Sequence, residues 1–439
     1  MSFWKRGGFS HKRLYVDAAA ATPISARSKR ELIRLLDVYG NAGALHKEGV
    51  EAKQEIEKAR QTIADAVGAH ADEIIFTSGG TEANNLALEG TLRPLLRERG
   101  EVHAITCAIE HPSVLEPLRA LEREGLYTTI LPVNGEGLVD VKELRDAIND
   151  ETTLVSIQLV NSEVGTIEPI REIAKEIRSI RQKRSPLRSP GQLAAFTPDT
   201  SFLPLYFHVD ASQAPLWLDI KVDSLHADLI TLDAQKILGP KGVGALYVRR
   251  GVKIEPILWG GAQEDGFRAG TSNTPLIGAF AVALEDAQRE AEERAEKVSE
   301  IRDYCFEEIK KLLPDVTLNG PRCAESSAGP PSASTAQHRR SPMERLAPLR
   351  VANNLNISIP GLEAQMAVIA LDAEGIAAST RSACSAGEEE PSHVIQALGV
   401  PKDLAGTAIR ITFLPDATAR DASRVARTLA DIAQRYRQK

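Results

Sequence analysis

Through the middle of the chain, short apolar runs alternate with stretches whose apolar residues recur every three or four positions. That alternation predicts βαβ units around a mainly parallel sheet, an α/β architecture. EIIFTSGG (73–80) reads as a strand ending in a glycine turn, and TEANNLALEG (81–90) as the helix after it, with Thr81 at its N-terminus. HAITCA (103–108) is a second strand; HPSVLEPLRALEREG follows as a helix with Pro112 in its first turn, where a missing N–H costs little. TTLVSIQLV (152–160) is a near-continuous apolar run, typical of a strand buried on both faces. LYFHVD (205–210), ADLITLDA (227–234) and GVGALYVRR (242–250) continue the series.

From 285 to 313 the pattern becomes one long charged helix, expected to bridge to a second domain. That domain contains the strand NLNISIP (354–360), a helix near 363–372, the strand AIRITFLP (408–415) and a terminal helix, a small α+β arrangement. The expected division is an N-terminal arm (1–14), a large domain (15–282) and a small C-terminal domain (283–439). Two Ser-, Pro-, Ala- and Arg-rich segments, about 182–204 and 323–348, read as surface insertions because they offer little apolar surface to bury. The arm carries Lys5, Arg6, Lys12 and Arg13 without an acid, which reads as a short basic lead-in to the first strand rather than a transit peptide.

Composition agrees with two domains: 439 residues, 43% hydrophobic and 26% charged. A net charge of -7 argues against a nucleic-acid-coating protein, and no direct DNA binding is expected. The four cysteines (Cys107, Cys305, Cys323 and Cys384) form no C-x-x-C pair, so neither a disulfide framework nor a metal site is expected; the usage suits a reducing cytoplasm. No apolar run approaches the roughly 18 residues that span a bilayer.

No G-x-G-x-x-G, Walker A or H-E-x-x-H motif is present. Polar residues instead gather after the predicted strands, where ligands bind in open α/β sheets. Ser78-Gly79-Gly80-Thr81 precedes a helix N-terminus, which favours a phosphate, although many strand-to-helix turns carry glycine. His111 at a helix start is by itself more often a cap than a catalyst, and Asn161 more often a turn former. In HVDASQ, which carries His208 and Gln213, Asp210 ends an apolar strand and calls for a cationic partner. Lys236 follows another apolar strand, where desolvation would favour a neutral amine able to attack an aldehyde. Cys384 lies in a small-residue loop beside Arg381, suited to a reactive thiolate. Arg410 on AIRITF offers a planar fork for a carboxylate.

Taken in order, SGGTEANN, EHPSV, VNSEVG, HVDASQ, QKILGPKGVGALYVRR, RAGT, STRSACSAG and AIRI resemble the class V aminotransferase-like group of pyridoxal 5'-phosphate (PLP) enzymes. More narrowly they resemble the NifS/IscS-type cysteine desulfurases, from about Tyr15 to the C-terminus outside the two insertions. The resemblance implies a fold type I PLP-dependent transferase, with a seven-stranded, mainly parallel sheet in the large domain. It implies that Lys236 holds the cofactor aldehyde, His111 stacks on its ring, Asp210 pairs with the ring nitrogen and Gln213 bonds the ring hydroxyl. Asn161 would orient cofactor and substrate. Gly80, Thr81 and Gln235 would hold the phosphate, with Thr271 supplied by the other subunit of a homodimer. Arg410 would bind the carboxylate of L-cysteine, and Cys384 would take its sulfur as a persulfide. A protein acceptor such as an Fe–S scaffold, or a route to tRNA thiolation, would follow.

The chain departs from the family pattern at Asp233-Ala234-Gln235, where Ser-Gly-His is usual, at Thr380-Arg381 in place of Ser-Gly, and at Ala18 in place of Asn. Selenocysteine lyase, another PLP β-lyase and a catalytically degenerate scaffold are the alternatives.

Overall fold

The structure is a computed structural model that describes residues 13–184, 203–322, 349–380 and 391–437. Its first strand, β1 (Leu14–Tyr15), is followed by a sheet built from β2 (Ile74–Thr77), β3 (Val102–Cys107), β4 (Leu126–Leu131), β5 (Thr152–Ser156), β6 (Tyr206–Asp210), β7 (Leu229–Asp233) and β8 (Gly244–Val248). The strand order is β2-β8-β7-β6-β5-β3-β4. Pairing is parallel from β4 through β7, and β8 runs antiparallel to both β7 and β2. The seven-stranded, mainly parallel α/β sheet is therefore as expected. Because β8 reverses between two neighbours, β2 runs in the direction of β7. The carboxyl ends of β2, β3, β5, β6 and β7 thus share one edge.

Every residue of β3, β5 and β7 is buried. Helices on both faces require this of a parallel sheet, and it explains why 152–160 reads as a near-continuous apolar run rather than an alternating one. The run 152–160 is regular only to Ser156, yet Ile157 N–H still donates to His208 O (3.1 Å) and Leu159 N–H to Asp210 O (2.8 Å). Its second half keeps its backbone bonds to β6 while turning toward the edge.

Two compact units divide the chain: Thr22–Asn161 with Ile167–Glu292, and Met1–Ala21 with Ser162–Thr166 and Glu293–Lys439. This differs from a single cut near 282, for reasons of hydrogen bonding. β1 pairs in parallel with β11 (Ile376–Ala377), which follows β9 (Thr317–Leu318) and β10 (Asn354–Ser358) in the chain. Ser162–Thr166 is bound in the same unit, for Val351 N–H donates to Gly165 O (2.8 Å) and Asn356 Nδ2 to Glu163 O (3.0 Å). A three-stranded antiparallel sheet, β9-β10-β12 with β12 at Ala408–Thr412, completes the α+β unit.

The expected single helix over 285–313 is two helices, Thr274–Arg289 and Ala291–Leu312, broken at Glu290 (φ -117°, ψ 12°). No glycine or proline marks the break, so composition carried no stop signal. The first expected insertion begins later than 182, because the helix Ile170–Arg184 runs through it. The second, 323–348, lies outside the described residues.

Buried acids anchor the loop after β5. Glu110 Oε1 accepts from Gln158 N–H (2.7 Å) and from the Cys107 thiol (3.2 Å), and burial holds its carboxyl well above the usual range. Glu168 Oε2 accepts from Val139 N–H (3.0 Å), while burial raises the carboxyl to about 8. An unfolded glutamate ionises near pH ~4.3, so between there and pH 8 the folded chain keeps a proton that the unfolded chain releases. The stability associated with that proton is fully present below the unfolded value and lost as pH rises through 8. Glu168→Gln should raise the melting temperature by a few degrees at pH 8.5, with the gain vanishing toward pH 5, as scanned by circular dichroism across pH.

Candidate active site

Asp210, the last residue of β6, places a half-buried carboxylate at the shared edge. Its Oδ1 accepts from Ser212 N–H (2.9 Å) and Ser212 Oγ (2.6 Å), and its Oδ2 from Asn84 Nδ2 (2.8 Å). Among the described residues it makes no ion pair. The same Asn84 amide donates to Ser113 Oγ (2.8 Å), which lies 2.7 Å from His111 Nδ1. Ser113 Oγ already accepts from Asn84, so its own proton goes to the ring nitrogen. Ser113 N–H donates to the same Nδ1 (3.1 Å). With two donors aimed at it, Nδ1 is an acceptor and the neutral ring carries its proton on Nε2.

His111 is also the N-cap of the helix Pro112–Glu122, with Pro112 in the first position. Two side chains steady the backbone just before it: Gln158 Nε2 (2.7 Å) and Asn161 Nδ2 (2.9 Å) both donate to Ile109 O. His208, by contrast, is fully buried below the edge between Ser156 Oγ (2.8 Å) and Thr231 Oγ1 (3.0 Å). Burial lowers it to about 4, partly opposed by Asp210, so it is a neutral packed histidine.

Lys236 ends a short 3-10 turn, Ala234–Lys236, directly after β7. The turn is gripped by Thr22, whose N–H (2.8 Å) and Oγ1 (2.9 Å) donate to Gln235 O and whose Oγ1 accepts from Leu238 N–H (2.7 Å). Leu238 sits at φ 64°, a left-handed conformation that costs a residue with a Cβ about 1–3 kcal/mol. Three hydrogen bonds of about 1 kcal/mol each offset that cost and hold the lysine's backbone in place.

At the neighbouring strand end, Gly79 adopts φ 148° and leads into the helix Gly80–Arg99. A Cβ on Gly80 would come within 3.0 Å of Ser212 Oγ and 3.3 Å of Asp233 Oδ2, a tight approach that any side chain there would have to push apart. Thr81 is exposed beside this turn. Asp233 is buried, and both of its oxygens accept from Gln235: Oδ1 from the backbone N–H (3.2 Å) and Oδ2 from Nε2 (3.0 Å).

The structure brings Asp210, His111, Gly80 and Asp233 together through Asn84, Ser113 and Ser212, three residues that the sequence reading passed over. Asn84 stands one helical turn after Gly80, and that spacing was its only signal. Gln213 is half-buried after Ser212, and Thr271 is exposed. Cys384 and Arg381 lie outside the described residues. In the other unit Arg410 is fully buried rather than open: Nη2 pairs with Asp17 Oδ1 (2.7 Å), Nη1 donates to Ser162 O (3.3 Å), and Nε has no partner among the described residues.

A pyridine cofactor suits the ring end of this arrangement. Among the described residues the half-buried Asp210 carboxylate has donors but no cation and the buried Asn84 Oδ1 has no partner, and an imidazole of fixed tautomer stands nearby. The helix start could hold a phosphate, although Asp233 adds a negative charge there.

Residues 14–183 and 204–346 match the family model described as Aminotransferase class-V. A cysteine desulfurase IscS from Dictyoglomus turgidum is 38% identical over 427 residues, covering 97% of this chain and 96% of that protein. Among solved structures, a NifS-like protein superimposes with a TM-score of 0.80 at 29% identity, over 96% of this chain and all of that one. The structure titled "SspA in complex with cysteine" gives a TM-score of 0.71 at 30% identity, over 92% and 99% of the two chains.

The hydrogen-bond chain from Asp210 to His111 makes a direct prediction. Ser113→Ala leaves Nδ1 with one donor in place of two. Nitrogen NMR of histidine-labelled cofactor-free protein should show the His111 Nδ1 resonance move toward that of a less strongly hydrogen-bonded acceptor while the ring keeps its proton on Nε2, with a stability loss of about 1 kcal/mol. An unchanged Nδ1 resonance would disconnect the Ser113 hydroxyl from the ring.

Proposed function

The chain belongs to the class-V aminotransferase family, and we infer that it is a PLP-dependent cysteine desulfurase with the fold type I architecture. The similarity to cysteine desulfurases over nearly the whole chain supports the activity. The observation that carries it to these residues is the Asp210 carboxylate, satisfied by neutral donors, without a cation among the described residues, and linked through Asn84 and Ser113 to His111.

The proposed reaction consumes L-cysteine and the Cys384 thiol and yields L-alanine and a persulfide on Cys384. Bound PLP supplies an electron sink that makes the substrate Cα–H acidic and weakens the bond to sulfur. Lys236 would hold the cofactor aldehyde, and its side-chain amine would serve as the base at the substrate Cα. Asp210 stabilises positive charge on the ring nitrogen, Gln213 binds the ring hydroxyl, and His111 covers the ring with its proton on Nε2. Asn161 orients cofactor and substrate by steadying the segment before His111. Gly80, Thr81, Gln235 and a partner subunit's threonine at position 271 hold the phosphate. Arg410 is the proposed carboxylate partner, with Nε as a remaining donor while Asp17 sets the guanidinium's orientation.

A homodimer is part of this reading. The larger unit leaves Tyr39, Leu45 and Trp259 exposed at 80%, 98% and 74%, apolar side chains that a subunit interface would cover. Sulfur would pass from Cys384 to a protein acceptor such as an Fe–S scaffold, or onward to tRNA thiolation. A persulfide carrier needs a reducing compartment, so a cytoplasmic location is proposed. Among the described residues no helix is long and apolar enough to cross a membrane.

The purified protein loaded with PLP should release alanine from L-cysteine, and mass spectrometry should find one added sulfur on the peptide containing Cys384. Cys384→Ala should abolish both, and Lys236→Ala should leave less than ~0.1% of turnover, the general acid–base share alone being of order 10³. Selenocysteine turnover that survives Cys384→Ala would instead mark a lyase that releases its product directly.

A further inference from the structure

We propose that Asp233 is a specificity-determining residue that weakens the protein's hold on the phosphate of its cofactor, so that loading follows cofactor supply rather than being permanent. The proposal rests on the reading of this site as a PLP site. Asp233 is 6% exposed and makes no ion pair among the described residues. Its Oδ2 lies 3.3 Å from where a Cβ on Gly80 would stand, so the carboxylate is packed against the first residue of the helix Gly80–Arg99. Unpaired N–H groups and the positive end of the helix dipole make such a start favourable to an anion, and a carboxylate of the chain itself already supplies one.

Gln235 keeps that carboxylate in place. Its backbone N–H and its side-chain amide each hold one oxygen, leaving little freedom for Asp233 to swing aside. The cap of the Ala234–Lys236 turn needs an acceptor oxygen but no charge, so an asparagine would serve it equally. Glu82, in the first turn of the same helix, accepts from Ser78 N–H (2.8 Å) and is paired with Arg268 (2.8 Å), which occupies the nearby cation. The Asp233 and Glu82 carboxylates and the paired Arg268 guanidinium therefore stand at the turn before any phosphate arrives. Unit charges about 4 Å apart in a partly buried site interact by about 4 kcal/mol, enough to alter affinity by orders of magnitude even after substantial relaxation.

Binding titrations of the cofactor-free full-length protein with PLP and with pyridoxal, which lacks the phosphate, test this through the absorbance of the bound compound. In Asp233→Asn, and likewise in Asp233→Ser, PLP should bind about tenfold tighter or more than in wild type, while pyridoxal affinity stays the same. An equal change for both compounds, or no change for PLP, would overturn the proposal while leaving the cofactor assignment intact. If neither compound bound to wild type or to either Asp233 variant, the cofactor assignment would fall and the proposal with it.

Discussion

A half-buried carboxylate at the end of a strand has to be satisfied, and most of the active-site arrangement follows from how Asp210 is. A lysine or arginine beside it would close an internal ion pair and leave no use for an incoming cation. The chain instead supplies Ser212 and the amide of Asn84, donors that stabilise the charge without neutralising it. Asn84 has a second amide proton to place, and Ser113 takes it; Ser113 then directs its own proton to His111. One helix position thus ties the orientation of the acid on β6 to the tautomer of the histidine after β3. The parallel sheet makes this possible, since it brings both strand ends to one edge without exposing their apolar sides.

Much of this was legible in the sequence, and the misses have identifiable causes. The near-continuous apolar run 152–160 marked β5 because a strand buried on both faces does not alternate. Lys236, Asp210, His111 and Gly80 were visible because each lies at the end of a strand run or within a few residues after it. Asn84, Ser113 and Thr22 were not, because their importance lies in partners far along the chain, and an asparagine inside a helix carries no local mark. The break at Glu290 escaped for the opposite reason: its neighbours are strong helix formers, and neither glycine nor proline marks the stop. The unit boundary was missed because β1 and Ser162–Thr166 join the C-terminal unit through pairings that no local pattern announces.

Arg410 shows how burial qualifies a residue read from pattern alone. Alternation on β12 suggested an open fork, whereas the guanidinium is fully buried and already bonded to Asp17 and Ser162 O. A buried lone guanidinium would carry a large desolvation cost, and Asp17 removes most of it. The pairing also fixes the plane of the fork, so the donors that remain are presented in one orientation.

The two ends of the site are therefore built on different physics. Around His111 and Lys236 the holding forces are hydrogen bonds to neutral groups: Ser113, Asn161 and Gln158 near the histidine, and Thr22 gripping a turn that includes the strained Leu238. Such bonds are short-ranged and change little when charge enters or leaves nearby, which suits positions where protons must move. At the Gly79–Gly80 turn the dominant forces are charges: a helix start, Asp233 held by Gln235, and Glu82 paired with Arg268. Charges act over longer distances, so replacing one of them alters how strongly a phosphate is held without disturbing the hydrogen bonds that set the chemistry. A lineage can therefore exchange residues at 233 and 235 and change its grip on a cofactor while Asp210, His111 and Lys236 keep their geometry. The divergent positions fall where electrostatics can be retuned at least structural cost.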